Sequence, residues 1–333
     1  MRLAAALSVA LAMLALLMGQ APPPAGIAVD HPGDRGIASD RRVVFADDFD
    51  AGSVGDIARR WTEASDPGGR VLALGDDVPA GSAGPHSLRI TATPGEDTGG
   101  HLYRVLPEPL DDAYLRFYVK FLEPANYIHH FVTLGGYHPS TRWPQGGAGE
   151  RPVGDDRVTV GIEPFGQWGQ SEPPGIWNFY CYWHEMKVSA GGRYWGNALT
   201  AAVPPRVPAG RWQCVEMRLR LNSAPGVRDG LLTLWLDGER VAHFEQGVPR
   251  TPWSGMGFAL ADEGGEPFEG FAWRDSDALK INFLWLMLYV TEENLARSGV
   301  TPRPETVSVL FDQVVVAREY IGPLVPVPPN GAP

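Results

Sequence analysis

Leu231-Leu-Thr-Leu-Trp-Leu-Asp-Gly-Glu-Arg-Val241 decides the fold class. Two β-favouring runs flank an Asp-Gly pair, which accepts the positive φ angles of a tight two-residue turn, so the stretch predicts an antiparallel hairpin. Just upstream, in Val215-Glu-Met-Arg-Leu-Arg-Leu221, the apolar Met217, Leu219 and Leu221 alternate with Glu216, Arg218 and Arg220. A period of two with one apolar face predicts a strand with one side buried and one solvated. Ile281-Asn-Phe-Leu-Trp-Leu-Met-Leu-Tyr-Val290 is apolar on both faces. It is predicted to be a central strand, covered on one side by the core and on the other by a loop or ligand.

The same texture of short apolar runs between Gly, Pro, Asp and Asn extends outward from these segments. It predicts further strands at Val43–Phe45, Ser87–Thr93, Tyr114–Phe121, Ile128–Leu134, Arg157–Ile162, Trp177–Val188, Gln213–Leu221 and Val307–Val316. Helical periodicity is confined to a short piece, Glu292–Ser298. Many strands spaced by turn signals predict an all-β sandwich or jelly roll. No repeat or Gly/Ser linker divides residues 43–322, which read as one domain. Ahead of it, Arg2 and the apolar run Leu3–Met18, followed by Gly19-Gln20-Ala21, have the pattern of a secretory signal ending after Ala21. No other run is long and apolar enough for a membrane span. Residues 22–42, rich in Pro, Gly and Asp, read as a linker, and 323–333 as a Pro-rich extended tail. The expected location is secreted or periplasmic.

A formal net charge of -11 argues against nucleic acid or anionic lipid as partner. The only lysines are Lys120, Lys187 and Lys280. Cys181 and Cys214 are the only cysteines; in an exported chain they form one disulfide or serve as two small buried hydrophobes, and two are too few for a cysteine-based zinc site. There is no nucleophile elbow and no P-loop. His184-Glu185 starts like a zinc-protease helix, but Val188 stands where the second His is needed. No Glu-x-Asp-x-Glu strand offers the paired carboxylates of a retaining glucanase. Nothing in the sequence sets an oligomeric state.

Gly175-Ile-Trp-Asn-Phe-Tyr-Cys-Tyr-Trp-His-Glu-Met-Lys-Val188 is the densest run of aromatic and imidazole groups. Read as one strand, it places Asn178, Tyr180, Tyr182, His184 and Met186 on one face and Phe179, Cys181, Trp183 and Glu185 on the other. The first face carries rings, hydroxyls and an imidazole, which suits the floor of a carbohydrate cleft. Trp143, Trp168, Trp177 and Trp195 lie in or beside Gly/Pro-rich loops, where aromatic rings either stack on sugars or pin the loop.

Tyr114-Leu-Arg-Phe-Tyr-Val-Lys-Phe121 with His129-His-Phe-Val-Thr-Leu-Gly-Gly136 resembles the front half of polysaccharide lyases of the alginate and glucuronan lyase type. Arg218-Leu-Arg-Leu-Asn-Ser-Ala-Pro-Gly226 and Asp229–Gly238 resemble their back half. Phe311-Asp-Gln-Val-Val-Val-Ala-Arg-Glu-Tyr-Ile-Gly322 is similar to the last strand of many concanavalin A-like domains. The resemblance implies a concanavalin A-like jelly-roll sandwich of two antiparallel sheets, one of which holds a polysaccharide. It also implies β-elimination: a base takes the proton beside a uronate carboxylate, a cation or amide neutralises that carboxylate, and an acid protonates the leaving oxygen.

The lyases' Tyr-x-Tyr strand corresponds to Tyr180-Cys-Tyr182, and their lysine-bearing stretch to His129–Gly136, which has no Lys. Imidazole can replace it as a base near neutral pH. The candidate bases are therefore His129, His130 and His184, and the candidate acids Tyr180 and Tyr182. Because adjacent strand residues point opposite ways, at most one of His129 and His130 is expected in the cleft. Arg116, on the polar face of its strand with Tyr118 and Lys120, is the expected carboxylate partner, with Asn178, Trp177 and Trp195 as further sugar contacts. No cofactor is implied beyond a structural calcium, for which Asp48, in the run Asp47-Asp-Phe-Asp50, and Asp312 are the candidate ligands. Two other readings remain open, a non-catalytic carbohydrate-binding module and a laminin-G-like interaction domain.

Overall fold

The Asp-Gly pair forms the expected turn, with Asp237 at φ 52° and Gly238 at φ 85°, both left-handed as a type I′ hairpin requires. The computed structural model describes residues 25–201, 203–255, 257–258 and 265–327. The signal expected at 1–21 and the end of the tail lie outside these. In chain order the strands are β1 (Val43–Asp47), β2 (Glu63–Ser65), β3 (Leu72–Gly75), β4 (Ser87–Ala92), β5 (Gly99–Leu110), β6 (Asp112–Phe121), β7 (His130–Tyr137) and β8 (Arg157–Phe165). They continue as β9 (Ile176–Tyr182), β10 (Asn197–Leu199), β11 (Gln213–Arg220), β12 (Leu231–Leu236), β13 (Glu239–Phe244), β14 (Ile281–Tyr289) and β15 (Val307–Ala317). Helix α1 is Val54–Arg60 and α2 is Glu292–Ser298.

Strands β13-β12-β11-β6-β15-β4-β3 form an eight-stranded sheet together with β1, which pairs with β15. Strands β10-β9-β8-β7-β14-β5-β2 form a seven-stranded sheet, and the strand pairings in both sheets are antiparallel. The chain crosses repeatedly between the two layers, giving the jelly-roll sandwich. Between them, Phe131 of β7 stacks on Phe311 of β15 at 5.0 Å, and Phe117 of β6 meets both. All three are fully buried, each such ring stabilising the fold by about 1.5–3 kcal/mol through area removed from water.

Strand β14 occupies the middle of the seven-stranded sheet. Its Leu284, Leu286 and Leu288 enter the core. On its other face Phe283 stacks on Tyr137 and leans on Tyr103, an apolar patch outside the sandwich, which explains why this strand is hydrophobic on both sides.

Strand β5 escapes the sequence reading because Gly99-Gly100 open it and Pro107 and Pro109 sit near its end, residues that depress any strand signal. Residues 25–39, expected as part of a linker, instead fold into short 3-10 turns against the outer face of the eight-stranded sheet. Ile27 and Ile37 pack there on Val315, Ala317 and Ile321, and the amides of Ile27 and Ala28 donate to Tyr320 and Ile321. The first residues of the tail follow the same face, where Gly33 donates to the Val325 carbonyl. Cys181 and Cys214 are both free and buried. Cys181 faces the core from one sheet, while Cys214 shares the outer face of the other with Tyr118, so no disulfide joins them.

Asp47, Glu216 and Asp312 are three of the buried carboxyls. Burial raises Asp47 to about 6, Glu216 to about 7 and Asp312 to about 9. Each keeps its proton to higher pH when folded than when unfolded. Their contribution to stability is therefore whole below the ordinary carboxylate range and is lost as pH rises through the folded values. Thermal melts should show stability declining from about pH 5 to about pH 9. Asp312→Asn should flatten the upper part of that slope, since its Oδ2 is buried without a partner.

Candidate functional site

The outer face of the seven-stranded sheet carries the polar groups. Strand β9 directs Asn178, Tyr180 and Tyr182 outward, and β8 sets Glu163, Gly161 and Thr159 beside them in register. Gly161 leaves room between the larger side chains. Two adjoining cavities of about 570 and 250 Å³ lie over this floor and share His130, Glu163 and Tyr180. The larger is walled by the 165–169 loop, by Ser189–Gly196 and by Asn294 and Arg297 of α2; the smaller is closed by Gln145–Ala148. Thr291 caps α2 through the amide of Asn294 and so fixes that wall.

His129 and His130 both reach the larger cavity, with ring centroids 4.3 Å apart. Strict alternation fails because β7 begins only at His130, and its pairing with β14 shifts register between Leu286 and Tyr289. Burial against the foot of α2, and then the neighbouring imidazole, lower the basicity of His129. The His129 side chain nonetheless stays solvent-exposed at the cavity. His130 lies 3.3 Å from Glu163 through Nδ1, with the Tyr180 ring at 5.4 Å.

The phenol oxygens of Tyr180 and Tyr182 are 3.4 Å apart. Burial, reinforced by Tyr182, pushes Tyr180 well above the usual phenol range. Tyr182 sits under Arg157, whose guanidinium is 5.5 Å from the ring centre. Arg157 donates to the carbonyls of Gly146, Gly147 and Glu150 and so holds the loop that closes the smaller cavity. The floor thus combines an imidazole, two phenols and an amide in an open cavity, a set able to remove one proton and deliver another.

The chain is similar to solved polysaccharide lyases. The alginate lyase Aly36B has 13% identity over 81% of this chain and 92% of its own, with TM-score 0.49. The alginate lyase vAL-1 from Chlorella virus has 11% identity over 74% and 89%, with TM-score 0.47. The endo-β-1,4-glucuronan lyase from the fungus Trichoderma reesei has 13% over 83% and 95%, with TM-score 0.40. No protein-family model matches, and a search of curated proteins finds no match.

Among the residues expected at the site, Asn178, Tyr180, Tyr182, His129, His130 and Trp195 line these cavities. The others lie elsewhere. Arg116 is wholly buried in the eight-stranded sheet, paired with Asp34 and donating to the Gly322 and Gln313 carbonyls. Tyr118 shares that outer face and accepts the Leu324 amide, and Lys120 pairs with Asp77 at 2.6 Å. The polar face of β6 points away from the cleft, so none of the three meets a ligand there. Trp177 faces the core and donates to Gln213. His184 follows the end of β9 at Tyr182 and turns toward Gly154, and Met186 is buried in the core.

Asp48 is exposed and lies 3.5 Å from Arg60, while Asp312 accepts the Gln313 amide. Among the described residues no group of three or more His, Cys, Asp or Glu gathers to hold a metal ion.

Glu163, Arg157 and Arg297 are the charged groups that the sequence reading missed. For two of them a signal existed: Arg157, Thr159, Gly161 and Glu163 alternate along β8 as the polar face does in β9. Trp168 is 59% exposed at the cavity wall, yet it and Gln167 hold left-handed backbone at φ 54° and 48°. Such a conformation costs a non-glycine residue about 1–2 kcal/mol, and an exposed ring recovers little of it by packing. Trp168→Gly should therefore raise stability by about 1 kcal/mol in denaturant titrations.

Proposed function

We propose that the cleft binds a uronate-containing polysaccharide and cuts it by β-elimination. The observation that carries this is His130 standing beside Tyr180 and Tyr182 in an open cavity. In this reading Nε2 of His130 takes the proton from the carbon next to the uronate carboxylate. The electron pair forms a carbon–carbon double bond as the bond to the glycosidic oxygen breaks, and Tyr182 protonates that oxygen. Asn178 and Arg297 border the same cavity and supply donors to the uronate carboxylate. The exposed rings of Trp168 and Trp195 flank the path and offer stacking surfaces to sugar faces. The Leu3–Met18 run supports export, which would place the protein where such polymers occur. Among the described residues no helix is long and apolar enough to cross a membrane.

The test is to incubate the protein with alginate, polyglucuronate and related uronate polymers and follow the ultraviolet absorbance of the unsaturated product. Product from at least one polymer is expected. Retention of a polymer in gel-shift with no product from any would replace catalysis with a binding-module role. Neither retention nor product would leave the laminin-G-like reading.

A further inference from the structure

We propose that Glu163 is a positioning residue that fixes the tautomer of His130; this rests on the reading of His130 as the base. Among the described residues Glu163 is the only carboxylate lining either cavity. Its side chain is 10% exposed and is held on β8 opposite Asn178, with Oε2 3.3 Å from His130 Nδ1. An ionised carboxylate only accepts hydrogen bonds, so Nδ1 carries the proton. The Nε2 lone pair is then the one left to act as base in the cavity. The arrangement spans two adjacent strands, which hold both side chains more tightly than loops would.

The other groups around His130 do not duplicate this effect. His129, at 4.3 Å, opposes protonation of its neighbour whenever it is itself charged. Tyr180 of β9 and Tyr289 of β14 face the ring with centroids at 5.4 and 6.1 Å. From α2, Glu293 and Arg297 act on His129 with opposite signs, and Arg297 is paired with Glu293 at 2.5 Å. Removing the Glu163 charge therefore takes away the one anion among the described residues in direct contact with His130. The imidazole should then have no fixed tautomer.

The experiment is an NMR titration of the full chain labelled with 15N-histidine, comparing wild type, Glu163→Gln and Glu163→Asp, with the His130 signal assigned by its loss in His130→Gln. In the wild type the neutral ring should carry its proton on Nδ1. In Glu163→Gln the tautomer preference should disappear; Glu163→Asp should restore part of it. With the ring's orientation and tautomer no longer fixed, kcat/KM should fall about tenfold or more. A wild-type ring protonated on Nε2, or a tautomer preference unchanged in Glu163→Gln, overturns the proposal, and the wild-type tautomer decides it even if the variants fail to fold. The tautomer change without turnover of any glycan would keep the pair and remove the elimination reading. Turnover without the tautomer change would do the reverse.

Discussion

Replacing His130 by Gln should lower turnover of a susceptible uronate polymer about 10²- to 10⁴-fold, the usual contribution of a positioned general base. KM and retention on the polymer should stay near wild type. The base acts only as the proton leaves, so its loss should appear in kcat and kcat/KM alike. Stability should change little, because the His130 side chain is one-third exposed and only its edge meets Glu163. His129→Gln is the control. Its ring lies 4.3 Å away in the same cavity, but burial and its neighbour hold its basicity down. A weak base that stays neutral gains little by accepting a proton at working pH, so this variant should retain most of the turnover. A loss confined to His129→Gln would move the base by one residue.

That one-residue ambiguity shows where the sequence was readable. Alternation placed Asn178, Tyr180 and Tyr182 together correctly because β9 is regular through Tyr182 and pairs on both sides. It failed two residues later, where the strand ends and His184 turns away, and at His129, where β7 has not yet begun. Period-two reasoning holds only inside an unbroken ladder, and the residues that mark its ends carry weak local signals. The Asp237-Gly238 turn was legible because its backbone angles admit few residue types. The helix Glu292–Ser298 was legible from its own pattern, but its place as a cavity wall was not. Wall, floor and loop meet through contacts remote in sequence, as when Glu163 meets His130.

Arg116 illustrates the opposite error and leads to the second large expected effect. Arg116, Tyr118 and Lys120 do share a polar face, as alternation requires, but that face is the outer side of the eight-stranded sheet. Which side of a sheet bears the ligand is not written in one strand. What covers Arg116 is the 25–39 segment, whose Pro, Gly and Asp content resembles a linker. Asp34 lies within it at φ 58°, a left-handed backbone that brings its carboxylate onto the buried guanidinium.

Asp34→Asn should therefore destabilise the protein by about 3 kcal/mol or more, since it leaves a fully buried guanidinium without its counter-charge. Asn tolerates the left-handed backbone, so the loss reports the charge and not the turn. Arg116→Met alone should also be costly, because it strands the buried Asp34 carboxylate and vacates the Gly322 and Gln313 carbonyls. Combined with Asp34→Asn it should cost less than the two single changes added together, since no unpaired charge remains. Chemical denaturation of the four proteins yields the coupling energy directly. A coupling near zero would mean that the segment is held by Ile27 and Ile37 packing on Val315, Ala317 and Ile321, with the ion pair adding nothing. Turnover at temperatures where the variants remain folded should be unchanged, because the pair lies on the face of the sandwich opposite His130 and Tyr182.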